Sequence, residues 1–425
     1  MAKHQWWTAA MAAVAVGLAV VFGLNASSPT GHSTASPGPG GTTAAPPSTT
    51  TPAAVPTATA PPATAPATSA PPATAPPSAA LAALRRLTLR QKVGQVLMVS
   101  SPVAGPDANT SAALGELGVG NVFLKGRSYA GAGAIASVVA GLRSQVEASV
   151  PGVAPFVATD QEGGLVQIMN GPGFSVIPAA LEQGSLDPAQ LRTDAQQWGS
   201  ELAGAGINVN LAPVLDTVPS AAFAPSNAPI GFFGREYGYT PESVSAHGLA
   251  FAQGMAAAGV QATVKHFPGL GRVTANTDVA SGVSDATTTR HDPFVAPFAD
   301  AVRAGVRWLM VSNASYPAID ASAMAPFSAT ILTGMVRSDL GFTGIVVTDD
   351  ICDAVQVSTV PLAERAVQFI AAGGTMALCT NQSMAGTLYQ GVLARAGADP
   401  VFAAQVDAAA FQVLQEKDDR GLLVP

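Results

Sequence analysis

Charged side chains stand at the ends of several short apolar runs in this sequence. Asp160, Lys265, His266 and Asp349 each follow a run typical of a buried strand, and Arg235 lies in the loop after another. The carboxyl ends of parallel strands meet at one edge of a sheet, so we expect these groups to converge there. Only 11% of the chain is charged, which makes this concentration of acids, cations and an imidazole informative.

Carboxylates beside cations and an imidazole suit sugar binding and acetal cleavage, because each group can bind two adjacent sugar hydroxyls. A carboxylate below an anomeric carbon can attack it, and retaining glycosidases place a proton donor about 5–5.5 Å from that nucleophile. Asp349, at a strand end, is the predicted nucleophile. We expect Lys265 or Arg235 nearby to lower its pKa. These cations would also repel a metal ion, so neither a metal nor a cofactor is predicted.

Eight candidate strands alternate with helices after Leu81. The predicted strands are 96–100, 121–124, 155–159, 209–212, 261–264, 308–311, 345–348 and 375–378. The predicted helices are 87–93, with Thr88 as its cap, 132–149, 188–205, 241–258, 293–304, 328–338, 361–372, 383–396 and 400–416. The alternation predicts a parallel α/β sheet, and eight strands are the number that closes a (β/α)8 TIM-type barrel. An open doubly wound sheet is the alternative, but residues 101–105 do not form its usual glycine-rich nucleotide loop.

The amino-terminal part of the chain differs in composition from the rest. Residues 6–24 are uncharged and apolar, which predicts a signal peptide or membrane anchor over residues 1–26. Residues 27–79 are rich in Pro, Thr and Ala and form a predicted disordered linker. The barrel domain is predicted over residues 80–425. This order predicts an extracytoplasmic protein, either secreted or anchored to the outer face of the plasma membrane.

The net charge of −7, without any basic stripe, argues against a nucleic-acid partner. A monomer is the expected state. Membrane contact is expected only through residues 6–24, if that segment is not cleaved.

The chain from about Leu84 to Leu414 resembles the family 3 glycoside hydrolases, in particular their single-domain β-N-acetylglucosaminidases (β-N-acetylhexosaminidases). Five stretches carry the resemblance in order: Leu87–Gln95, Asp160–Gly164, Asn210–Asp216, Lys265–Gly269 and Leu340–Asp350. The resemblance implies a (β/α)8 barrel that cleaves terminal N-acetylglucosamine, with cell-wall fragments as the substrate. It also implies the residue roles: Asp349 is the nucleophile, and Asp160, Arg235, Lys265 and His266 bind the sugar.

The proton donor departs from the family pattern. Those enzymes usually read Lys-His-Phe-Pro-Gly-His-Gly and then Asp-Ser-His, whose histidine is the acid/base. Here Leu270 replaces the first histidine and the loop reads Asn276-Thr277-Asp278. Leu165 and Asn313 also replace an arginine and a histidine common in the family. Two hypotheses follow: Asp278 donates the proton from a mobile loop, or the domain has lost efficient turnover and binds cell-wall sugar.

The two cysteines are predicted to approach each other. Cys352 follows the seventh strand and Cys379 ends the eighth, and these strands are neighbours in a closed barrel. An oxidising extracytoplasmic setting favours a disulfide between them. Two unpaired buried cysteines are the alternative.

Overall fold

The computed structural model of the protein describes residues 78–423. The predicted signal or anchor at 1–26 and the predicted linker up to residue 77 lie outside the described residues. None of the helices between residues 78 and 423 combines the length and apolar character needed to cross a bilayer.

Twelve strands occur in the described part of the chain. They are β1 Leu97–Pro102, β2 Asn121–Lys125, β3 Phe156–Thr159, β4 Gln161–Gly163, β5 Val166–Gln167, β6 Val209–Asn210, β7 Gln261–Phe267, β8 Trp308–Val311, β9 Ser315–Tyr316, β10 Asp320–Met324, β11 Ile345–Thr348 and β12 Ala377–Cys379. Eight of them form one parallel sheet in the order β11–β8–β7–β6–β3–β2–β1–β12. The bridge between Val347 and Met376 then joins β11 to β12 and closes the barrel. The predicted (β/α)8 barrel is therefore confirmed.

The remaining four strands form two antiparallel hairpins, β4–β5 and β9–β10, in the loops after β3 and β8. These hairpins were not predicted from the sequence, because their strands are short and show no clear alternation of apolar and polar residues. The first hairpin matters for function, since it carries an acidic residue into the site described below.

Helices connect the barrel strands and cover the sheet. The α-helices are α1 Ala79–Arg86, α2 Leu89–Gln95, α3 Ala108–Gly115, α4 Ala132–Ser149, α5 Ala180–Gln183, α6 Pro188–Gly204, α7 Pro241–Ala257, α8 Ala296–Arg303, α9 Leu362–Ala371, α10 Ala385–Ala398 and α11 Pro400–Asp418. A π-helix spans Thr330–Asp339. Short 3-10 helices span Ala224–Ser226, Gly231–Phe233, Pro293–Val295, Ala325–Phe327 and Val355–Val357. The helices not predicted from the sequence, α1, α3 and α5, are short.

Local capping explains several helix starts. The side chains of Asp187, Thr240 and Asp399 each accept a backbone hydrogen bond at the start of α6, α7 and α11, and a proline follows each of them. Thr88 forms the predicted cap of α2, in a reciprocal capping box with Gln91. The starts of α6, α7 and α11 are the predicted ones, and α2 begins two residues after its predicted start.

The strands bring charged side chains to the carboxyl end of the barrel. Alternate residues of a strand face the same side, so Phe156 of β3 shares a face with Asp160, and Gln261 of β7 shares one with Lys265. Near the amino-terminal end, Phe156 packs edge-on against Trp308, with ring centroids 4.9 Å apart. At the carboxyl end, β7 continues to Phe267, beyond the predicted end at Val264. The fold thus places Asp160 and Lys265 together at the carboxyl end of the barrel.

Candidate active site

Four charged side chains form a compact cluster at the carboxyl ends of β3 and β7. The Lys265 Nζ lies 2.7 Å from Asp160 Oδ1 and 2.6 Å from Glu162 Oε1. Arg235 binds Glu162 with both arms, from Nε at 2.8 Å and from Nη2 at 2.7 Å. The side chains of Lys265 and Glu162 are only 3% and 4% exposed. Two cations and two carboxylates therefore compensate each other in a nearly buried cluster.

Local backbone structure brings Glu162 and Arg235 together. Asp160 and Glu162 are two residues apart at the start of the β4–β5 hairpin, so both can reach Lys265. Arg235 follows the 3-10 helix Gly231–Phe233, and its Nη1 donates to the Pro229 carbonyl at 2.9 Å. Gly234 connects this 3-10 helix to Arg235 and lies in the left-handed region with φ 62°, a conformation that favours glycine.

The ion pairs determine the charge states of this cluster. Burial alone would raise the pKa of Glu162, but Arg235 and Lys265 outweigh burial and lower it to about 2. Burial alone would lower the pKa of Lys265, but Asp160 and Glu162 outweigh it and raise that pKa. Glu162 and Lys265 are therefore both charged at neutral pH, and charged groups form the stronger hydrogen bonds to sugar hydroxyls.

A second buried pair lies beside this cluster. Asp216 is fully buried, and its Oδ2 lies 2.6 Å from the His266 Nδ1. Its Oδ1 accepts the backbone N–H groups of His266 at 3.1 Å and Leu270 at 2.7 Å. Asp216 thus fixes both the imidazole and the start of the loop after β7.

Asp349 stands directly after β11, in a different environment. Its backbone N–H donates to the Val311 carbonyl at 2.9 Å, and its Oδ1 accepts the Asp350 N–H at 2.8 Å. Burial raises the pKa of Asp349 to about 6; the nearby His266 opposes this rise, and the Asp278 carboxylate adds to it.

The expectation that Lys265 or Arg235 lowers the pKa of Asp349 was therefore wrong. Burial is the largest influence on Asp349 and raises its pKa, while Lys265 and Arg235 are held in ion pairs with Asp160 and Glu162.

The segment behind Asp349 is fixed by Asp350 and a disulfide. Asp350 accepts the backbone N–H groups of Cys352, Asp353 and Thr380 at 2.9–3.0 Å. Cys352 and Cys379 are bonded, with an S–S distance of 1.99 Å and a Cα–Cα distance of 5.0 Å. This bond ties the loop after β11 to the end of β12, as the expected strand adjacency requires.

Asp278 lies on the loop after β7 and is exposed to solvent. The protein around its carboxyl raises the pKa of Asp278 by desolvation; Arg235 opposes this rise and Asp350 adds to it. The Asp278 carbonyl accepts the Val355 N–H at 3.2 Å, which docks the loop against the segment that follows Asp349. Asp278 and Asp349 are thus two carboxyl groups with raised pKa values that influence each other.

The structure brings together all six side chains that the sequence analysis proposed for the site: Asp160, Arg235, Lys265, His266, Asp278 and Asp349. It adds Glu162, which the sequence analysis did not select. The two-residue spacing from Asp160 was the available signal, because it places both acids on one face of an extended segment. Among residues 78–423, no group of three or more His, Cys, Asp or Glu side chains is arranged to hold a metal ion.

Fold and site together define a (β/α)8-barrel protein with a sugar-binding type of site: a charged cradle beside two carboxyl groups with raised pKa values. Residues 88–415 match the model of the glycosyl hydrolase family 3 N terminal domain. The chain belongs to glycosyl hydrolase family 3.

Solved structures and sequences agree with this placement. The chain is similar to the crystal structure of a β-N-acetylhexosaminidase from Beutenbergia cavernae DSM 12333, at 50% identity and a TM-score of 0.77, over 78% of this chain and 98% of that one. It is also similar to a family 3 β-N-acetylglucosaminidase from Paenibacillus sp. FPU-7, at 28% identity and a TM-score of 0.72, over 79% of this chain and 63% of that one.

A β-hexosaminidase of Stenotrophomonas maltophilia R551-3 is 32% identical over 219 residues, which are 49% of this chain and 62% of that protein. The match thus spans less than two thirds of that relative's length.

Proposed function

We propose that this protein is a retaining glycoside hydrolase that removes terminal β-linked N-acetylglucosamine or a related N-acetylhexosamine. Asp349 is the nucleophile and Asp278 is the acid/base. The observation that carries the proposal is the pair itself: a carboxyl group at a strand end and a second on a docked loop influence each other's ionisation. Such a pair beside a charged cradle is what a retaining glycosidase needs.

The reaction follows from these charge states. In the first step, ionised Asp349 attacks the anomeric carbon while Asp278, whose pKa is raised by desolvation, gives its proton to the departing oxygen. The glycosidic bond breaks and a sugar ester of Asp349 forms. Asp278, now ionised, takes a proton from water, and the resulting attack on the anomeric carbon releases Asp349. Two inversions leave the β-configuration unchanged.

The charged cluster and His266 hold the sugar in this scheme. Asp160 accepts from sugar hydroxyls, while Arg235 and Lys265 donate to them, and the ion pairs hold these side chains in place. The substrate class rests on the printed activities of the Beutenbergia and Paenibacillus proteins. A cell-wall glycan as the source and an extracytoplasmic location rest on the composition of residues 1–79.

A cell-wall-binding module with impaired turnover is the second candidate. It is favoured by Asp278 and Asn276, which stand where the family usually has its histidine and aspartate. It is disfavoured by the two raised pKa values, since a protein that only binds sugar has no use for them.

Turnover of 4-nitrophenyl β-N-acetylglucosaminide by the full chain, beside an Asp349→Ala variant, tests the proposal. The expected result is turnover by the wild type and its loss in the variant. Sugar binding without any turnover would favour the binding module. If the protein neither turns over nor binds this sugar, the substrate class is wrong, and a 4-nitrophenyl β-glucoside is the next substrate to measure.

A further inference from the structure

The loop that carries Asp278 is held in place by residues outside it. We define the acid loop as residues 274–283. The Thr277 carbonyl accepts the Gln356 N–H at 3.1 Å, next to the contact between the Asp278 carbonyl and the Val355 N–H. These two hydrogen bonds fix the backbone at Asp278, whose own N–H donates to Asn276 Oδ1 at 2.9 Å.

The side chain of Gln356 forms a further tie at the end of the acid loop. Its Oε1 accepts the Val283 N–H at 2.9 Å, and its Nε2 donates to the Val283 carbonyl at 3.0 Å. The Val283 carbonyl also accepts the Ser315 N–H of β9 at 3.0 Å, so the amide of Gln356 and β9 hold Val283 together. Gln356 is 3% exposed, so both bonds form away from competing water.

Gln356 belongs to the segment that follows Asp349. It lies on the 3-10 helix Val355–Val357, a few residues beyond Cys352, which the disulfide fixes to the barrel. A short, covalently fixed path thus connects Asp349 to Gln356, and hydrogen bonds connect Gln356 to the acid loop. The position of Asp278 relative to Asp349 depends on this path.

We propose that Gln356 is a positioning residue that sets the distance and orientation of Asp278 relative to Asp349. This inference rests on the proposed function, because it assigns Gln356 a role in proton donation. Gln356 acts through Asp278 and does not touch the reacting atoms. A misplacement of about 1 Å can cost about 10²-fold in rate, and full loss of general acid help costs about 10²–10⁴-fold.

The test compares leaving groups in a Gln356→Met variant, which keeps the side-chain volume and removes both hydrogen bonds to Val283. The two substrates are 2,4-dinitrophenyl β-N-acetylglucosaminide, whose leaving group needs little protonation, and N,N′-diacetylchitobiose, whose leaving group needs full protonation. We expect kcat/KM to fall about 10²-fold for the disaccharide and only a few-fold for the dinitrophenyl substrate. Gln368→Ala, on the exposed face of α9, is the matched control and should leave both values unchanged.

A second variant guards against a failure to fold. Gln356→Glu keeps an oxygen for the Val283 N–H and sets its other oxygen against the Val283 carbonyl, so the same leaving-group selectivity should appear. Circular dichroism and the melting temperature establish that each variant is folded.

Equal losses on the two substrates, or no loss on either, would overturn the inference while leaving the proposed function intact. A wild type that turns over neither substrate overturns the proposed function, and this inference with it.

Discussion

Replacing the predicted nucleophile should stabilise the protein while it abolishes turnover. Asp349→Asn keeps the side-chain volume and the Oδ1 atom that accepts the Asp350 N–H at 2.8 Å. It removes a negative charge that burial disfavours and that lies near the carboxylates of Asp278 and Asp350. The variant therefore loses only the ionisation that catalysis requires.

The size of the effect follows from linkage. The folded-state pKa of Asp349 is raised from 3.8 to about 6. At 1.36 kcal/mol for each unit of pKa, this corresponds to about 3 kcal/mol. Residual solvent contact screens part of this cost, so we expect Asp349→Asn to raise the free energy of unfolding at pH 7 by about 1–3 kcal/mol. Because the pKa of Asp349 is higher in the folded state, the neutral carboxyl group leaves the folded wild type at full stability below pH 4. The free energy of unfolding then falls as the pH rises through 6 and the carboxyl group ionises. The variant should thus match the wild type near pH 4 and exceed it at pH 7.

Urea unfolding of both proteins at pH 4 and pH 7 measures this difference. Asp194→Asn, at a partly exposed position on α6, is the control and should show no pH-dependent gain. A variant that is less stable than the wild type at pH 7, or equally shifted at both pH values, would refute the burial argument.

Three further perturbations have defined outcomes. Asp278→Asn should lower turnover of unactivated substrates about 10²–10⁴-fold. Azide should restore turnover of an activated aryl substrate by forming the β-glycosyl azide, since azide needs no general base. Formation of the α-azide, or no rescue, would contradict the acid/base role of Asp278. Glu162→Gln should lower the unfolding free energy by about 3–5 kcal/mol, because two buried cations lose their shared carboxylate; an unchanged urea midpoint would contradict this. The double variant Cys352→Ser, Cys379→Ser should have a free energy of unfolding about 3 kcal/mol lower than the wild type, because the disulfide closes a loop across a 27-residue separation. A reductant should not lower the stability of this variant further.

The barrel could be predicted from the sequence because strands that are buried on both faces are continuous apolar runs. A run such as Ile345-Val-Val-Thr is continuous, short and β-branched, and polar residues mark its end. The observed bounds of β8 and β11 are the predicted ones. The β4–β5 hairpin escaped prediction, since its strands span only two or three residues and its register shifts between Gln161 and Gly163.

The composition of the site could be predicted, but its pairings could not. Strand ends identified Asp160, Lys265 and Asp349, and they do meet at the carboxyl edge. Which carboxylate pairs with which cation depends on side-chain geometry between different strands. The burial of Asp349, which raises its pKa instead of lowering it, likewise depends on the assembled barrel.

The position of Asp278 depends on contacts that are distant in sequence. Its loop is docked by residues 355 and 356, more than 70 residues later in the chain. No local pattern records such a contact, so the sequence could propose the residue but not its placement.

The central claim is that Asp349 forms a covalent bond with the sugar. The most direct test incubates the full chain with an activated 5-fluoro N-acetylglucosaminyl fluoride, whose glycosyl-enzyme breaks down slowly, and locates the label by mass spectrometry of peptides. The account predicts one sugar on the peptide that contains Asp349, and none in Asp349→Asn. A label on another residue, or direct formation of the α-anomer without any covalent species, would contradict it.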